Sequence, residues 1–180
     1  MAKFDIAYEI TARYEGGYVN DPADAGGETI FGVARNSWKN LAMWDILDGY
    51  KKQGLRGSSL ELACKNDGKL MSEVHHIYKT QYWDKVWGDK IVEQKRANAI
   101  YDFAVNSGVS RAIRYAQLCL GVSSDGKMGP NTLRALNDAE AGFLKEYIDM
   151  RIRYFNSICK SRPANQKFLK GWTARANGLR

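Results

Sequence analysis

Proline, cysteine and strand-like alternation are all scarce in this chain. Three prolines in 180 residues, with no low-complexity run, exclude a proline-rich linker and extended disorder. The three cysteines, Cys64, Cys119 and Cys159, are odd in number and far apart, and no Cys-x-x-Cys pair occurs. Neither a zinc site nor a disulfide framework is therefore expected; the reading is three buried or half-buried thiols in a reducing compartment. The only histidines, His75 and His76, are adjacent and so point to different helical faces, each without a spaced carboxylate partner. No metal and no organic cofactor is expected. There is no Walker-type glycine loop and no Ser-His-Asp cue. The first 30 residues lack the apolar core of a signal peptide, and no run approaches the roughly 20 apolar residues of a membrane span. The expectation is synthesis in the cytoplasm without a leader, and no span.

Against those absences, 44% of the residues are hydrophobic and 12% aromatic, enough to bury the core of one compact domain, or of a domain with a small subdomain. The net charge of +7 calls for an anionic partner, and nucleic acid, anionic lipid and an acidic cell wall all qualify. No recognition-helix or RNA-binding signature accompanies the charge, so nucleic acid is not the expected partner.

Apolar periodicity predicts helices over 3–14, 35–47, 69–84, 95–107, 110–120, 130–137, 139–160 and 164–177. The run Ser58-Ser59-Leu60-Glu61 has the form of a capping box and predicts a short helix over 59–65. Residues 48–57 read as a loop, and 18–33 as a short irregular hairpin or wing. Pro130 is a good first helical residue after the turn 123–129. The fold class is mainly α, with a small N-terminal β wing.

The stretch Glu15–Gly32 is rich in turns and acids. Gly16, Gly17, Pro22, Gly26 and Gly27 break any helix there, and Glu15, Asp21, Asp24 and Glu28 put four carboxylates within fourteen residues. If the first helix runs into the Gly-Gly pair, Glu15 sits at its C-terminus. The helix dipole is unfavourable to a carboxylate there, which suits a group that must hold a proton. Cleaving a glycosidic bond needs such an acid, together with a carboxylate, or a water held by one, on the other face of the sugar. Asp24 lies across the wing from Glu15, and the Thr29 hydroxyl is suited to holding a water.

The pattern Glu15-Gly-Gly-Tyr18, Asp24-x-Gly-Gly-x-Thr29-x-x-Gly32 resembles the signature of glycoside hydrolase family 108, the N-acetylmuramidase-type endolysins often described as secretion activator proteins. The order Glu, Asp, Thr is also similar to that of phage lysozymes, with an Asp24–Thr29 interval one residue shorter and Ala25 where a proline is expected. The resemblance covers nearly the whole chain: Tyr82-Trp83-Asp84 is similar to the family's central Tyr-Trp segment, and Tyr101–Gly108 to the start of its C-terminal region. Asp125-Gly-x-x-Gly-Pro-x-Thr132 and Gly171-Trp172-x-x-Arg175 resemble motifs of predicted peptidoglycan-binding domains.

The resemblance implies a lysozyme-like helical domain, α+β by lysozyme convention, with a catalytic region over 1–100 and a peptidoglycan-binding-like region over 101–180 in one compact unit. It implies cleavage of the β-1,4 bond between N-acetylmuramic acid and N-acetylglucosamine, with Glu15 as the acid and Asp24 and Thr29 as its partners. Tyr18, Asn106, Tyr82 and Trp83 are the expected substrate contacts, the two last also suiting a core. Asp102 reads as an ion-pair partner, and the Asp125 motif as a turn and helix cap. Peptidoglycan strands are the expected partner of a monomer that reaches the wall through a holin or a secretion route. The alternatives are a lytic transglycosylase, a non-catalytic wall-binding or secretion-related protein, and a nucleic-acid binder motivated by charge alone.

Overall fold

Helix α1 (Phe4–Ala12) ends three residues before Glu15. Tyr14 N and Glu15 N donate back to Thr11 O and Ala12 O at 3.0 and 3.3 Å, a tightening turn of the kind that closes helix ends. Glu15 therefore lies beyond the last helical turn, where the dipole has largely fallen away, so the expected dipole argument loses its geometric basis. The computed structural model that shows this describes residues 1–21 and 26–180, and the chain packs as two compact units, Thr11–Lys79 and Met1–Ile10 with Thr80–Arg180.

In the Thr11–Lys79 unit the wing is an antiparallel sheet of β1 (Tyr18–Val19), β2 (Thr29–Ile30) and β3 (Val33–Ala34), in that order. Tyr18 pairs with Ile30 and Ile30 with Val33. Behind the wing stand α2 (Met43–Lys52), α3 (Gly57–Asn66) and α4 (Gly68–Tyr78). Helix α2 is displaced from the expected 35–47 because its start is fixed from elsewhere: the Glu73 carboxylate of α4 accepts Ala42 N and Met43 N at 3.2 and 2.8 Å. The anticipated capping box also shifts. Ser59 Oγ accepts Arg56 N at 3.3 Å, while Glu61 turns away from its own helix and accepts Tyr18 N of the wing at 2.9 Å. Asp67 caps α4 through Lys69 N and Leu70 N, both at 3.0 Å. Ile30, Val33, Trp44, Leu47, Leu60 and Val74 are buried here, in keeping with an apolar core between wing and helices.

In the other unit α5 (Gln94–Ser107) and α6 (Val109–Cys119) are separated by Gly108 at φ +97°. They are followed by α7 (Pro130–Asn137), α8 (Phe143–Ser161) and α9 (Gln166–Asn177). The N-terminus is tied in by Gln94, which accepts Lys3 N at 2.7 Å and donates to Lys3 O at 3.0 Å. The core is aromatic, with Phe103 in contact with Tyr115, Tyr147, Tyr154 and Phe155 at centroid distances of 5.6–6.1 Å. Asp102, fully buried, receives Arg175 Nε at 2.9 Å and pairs with Arg151 at 2.7 Å. The Arg151 guanidinium also lies against Phe103 and Phe155 at 4.9 and 5.3 Å. Burial pulls Arg151 below the ordinary arginine value, with Asp102 opposing it. The ion-pair role expected of Asp102 is what the structure has.

The Asp125–Thr132 motif is likewise structural in its contacts. Gln117 of α6 donates to Asp125 Oδ1, Lys127 O and Thr132 Oγ1 at 2.8–3.1 Å, and accepts Gly126 N at 2.8 Å. Cys64 and Cys159 are buried and Cys119 is half-buried. Burial pushes the Cys64 and Cys119 thiols up to about 11 and about 12, which leaves them poor nucleophiles.

Candidate active site

Glu15, half-buried, meets the tip of the wing. Residues 30 and 33 pair directly, so Phe31 and Gly32 form a two-residue hairpin turn, with φ of +49° and +77°. Positive φ at both positions is the type I′ geometry, which matches the twist of the strands and favours Asn-Gly. Gly32 is required twice over. A Cβ there would collide with the Tyr78 hydroxyl and would sit 3.3 Å from Glu15 Oε2. Phe31 is the anomaly, since a bulky L-residue in the left-handed region costs about 1–2 kcal/mol. Its backbone is held on both sides: Phe31 N donates to Gly17 O at 3.2 Å and Phe31 O accepts the Tyr78 hydroxyl at 3.1 Å.

The base of the wing is held by charge. Glu28, 8% exposed, accepts Tyr18 Oη at 2.7 Å, Arg35 at 2.5 Å and Lys51 Nζ at 2.6 Å. Asp48 of α2 takes the other arm of Arg35 at 2.5 Å. Burial alone would raise the Glu28 carboxyl, but the bonds from Lys51, Tyr18 and Arg35 hold it below the usual carboxylate range. Burial and then the Glu28 carboxylate push the Tyr18 phenol up, so it remains a donor. Glu28 is thus ionised and spent on positioning. Gly17 completes the arrangement, because a Cβ there would strike the Glu61 carboxylate that accepts Tyr18 N.

Glu15, Tyr18 and Thr29 belong to this one unit. The Thr29 hydroxyl donates to Gly27 O at 3.3 Å, and Tyr18 presents its hydroxyl to Glu28 rather than outward. Asp24 lies outside the described residues. Tyr82, Trp83 and Asn106 belong to the other unit. Asn106 Oδ1 accepts the Ser107 hydroxyl at 2.9 Å, and Tyr82 is half-buried. Of the two roles open to Trp83, sugar stacking and core packing, its surroundings are those of the core: it is fully buried, packs against Phe4 and Tyr101 at 5.9 and 5.6 Å, and donates its indole N–H to Asp89 at 2.8 Å. A ring without an open face packs a core and does not receive a sugar.

Three residues of the site were not singled out for it from the sequence. Tyr78 falls on the apolar stripe of α4 and reads as core. Glu28 stands among four acids with nothing local to distinguish it. Phe31 occupies an unspecified position of the Thr29-x-x-Gly32 pattern, although a large residue just before a turn glycine is a signal in itself.

Residues 8–108 match the Glycosyl hydrolase 108 family and residues 111–177 match the Predicted Peptidoglycan domain. The chain is similar to Brucella abortus SagA, at 30% identity over 98% of this chain and 90% of that one, with a TM-score of 0.66. No match is found among curated proteins.

Proposed function

The chain belongs to the glycosyl hydrolase 108 family, and from that premise we propose that it is a muramidase, cleaving the β-1,4 bond between N-acetylmuramic acid and N-acetylglucosamine with Glu15 as proton donor. Its family and its C-terminal match support a peptidoglycan-directed hydrolase or binding function; the bond and the acid are our reading. The observation that carries it is the seat of Glu15, a half-buried carboxyl against the glycine of a clamped hairpin turn, beside a tyrosine hydroxyl.

A glycosidic leaving oxygen needs a proton as the bond breaks, and a carboxyl group held within hydrogen-bond reach supplies it. In this reading Glu15 protonates the oxygen that leaves with the departing sugar, while Asp24 steadies the positive charge on the sugar left behind or orients the attacking water. Thr29 helps to hold that water, and Tyr18 braces the wing through Glu28. The region from about 101 to 180 grips the strand, with Asn106 as its proposed contact; Tyr82, which precedes that region, is a further proposed contact.

The test is a Glu15→Gln variant assayed on purified cell wall. Turbidity clearing by the wild type, lost by about 10²–10⁴-fold in the variant while both still sediment with the wall, is the expected result. A wild type that leaves turbidity unchanged would end the hydrolase reading.

A further inference from the structure

We infer that Phe31 is a sugar-contacting residue, its ring held at the turn beside Glu15 to pack on the glycan and set substrate affinity; this rests on the muramidase reading. Three observations converge on it. The backbone at Phe31 is in the left-handed region, φ +49°, at a turn position where asparagine or glycine would sit without strain. Strain of this kind persists where the surroundings over-determine it, and here they do, through Gly17 O on one side and the Tyr78 hydroxyl on the other. The next residue, Gly32, is the one whose missing side chain leaves room for Glu15 Oε2.

The core does not explain the ring. Ile30 and Val33, the strand residues on either side of the turn, are already buried, at 0% and 2% exposure, and supply the apolar face the hairpin needs. Phe31 stays half-exposed between them. A half-exposed aromatic ring can pack on the apolar face of a pyranose, as it does on other flat partners.

The proposal separates stability from function in opposite directions. Phe31→Gly removes the ring and relieves the backbone; Phe31→Tyr keeps an aromatic face. The expected result for Phe31→Gly is a melting temperature equal to or above that of the wild type, with kcat/KM on wall glycan lower by about tenfold, chiefly through KM. Phe31→Tyr should restore it. A Phe31→Gly protein with wild-type kcat/KM, or one that melts lower because the ring was packing the fold, overturns the proposal.

A second arm does not depend on turnover. A purified tetrasaccharide of alternating N-acetylglucosamine and N-acetylmuramic acid is titrated into Glu15→Gln and into Glu15→Gln/Phe31→Gly. Binding weaker by about tenfold in the double variant is expected, and equal binding contradicts the role. Should the wild type prove inactive, the muramidase reading fails by itself, and this arm still decides Phe31.

Discussion

The two units of this chain use charge in opposite ways. Residues 11–79 carry nine basic and nine acidic side chains, so that unit is neutral; the remainder carries eighteen and eleven, and with them the entire surplus of +7. From Met150 to the C-terminus there are eight basic residues and no acidic one. The neutral unit concentrates its charges into a half-exposed clamp, Glu28 and Asp48 on Arg35 and Lys51, at the foot of the wing. The basic unit buries one acid, Asp102, between two arginines, and leaves Lys160, Arg162, Lys167 and Lys170 on its surface. A net charge read from the whole sequence is therefore a property of one region. It says where an anionic polymer is drawn and nothing about where the chemistry lies.

Breaking the buried half of this comparison should have the largest effect. Asp102→Asn strands two arginine charges in an aromatic core and is expected to destabilise the Thr80–Arg180 region by about 3–5 kcal/mol, the cost of removing one partner of a buried ion pair. Chemical denaturation followed by the tryptophan signal measures it, and a loss under about 1 kcal/mol would mean that water reaches the cluster.

The half-exposed clamp should respond less and with a pH signature. Glu28→Gln is expected to cost about 2 kcal/mol, the worth of hydrogen bonds to charged groups. Because the folded Glu28 carboxyl lies below its ordinary value, its contribution is complete above the unfolded pKa of about 4.3 and is lost as pH falls through the lower folded value. The wild type should thus lose stability more steeply than Glu28→Gln on acidification below about pH 4. Parallel acid limbs would remove Glu28 from the account.

The comparison also separates what the sequence could and could not disclose. The helices of the basic unit were legible because their apolar residues recur at helical spacing and their ends are local: Gly108 between α5 and α6, Pro130 at the start of α7. The neutral unit was read less well because its boundaries are set at a distance. Glu73 fixes the start of α2 from thirty residues away, and Glu61 serves a strand in place of its own helix. Glu15 is proposed as the acid from its place before the Gly-Gly pair and from the family resemblance. The reason first given for it, the end of a helix, gives way to a turn against Gly32 and Tyr78. Trp83 admitted two readings because an exposed stacking ring and a core ring look alike in sequence, and its burial fits the core one.

The smallest effect expected is on the surface of the basic unit. Replacing Lys167 and Lys170 by Glu should weaken sedimentation with purified wall and flatten its dependence on salt between about 0.01 and 0.1 M, where the screening length contracts to about 10 Å. Turnover on short oligosaccharides should not change. If short substrates slow equally, the division between a neutral cutting unit and a basic gripping one is wrong.

The most direct measurement is the mass of the fragments released from purified wall by wild type and by Glu15→Gln. The wild type should release fragments ending in a reducing N-acetylmuramic acid, and the variant almost none. Anhydro-muramic ends, or the same fragments from both proteins, would contradict it.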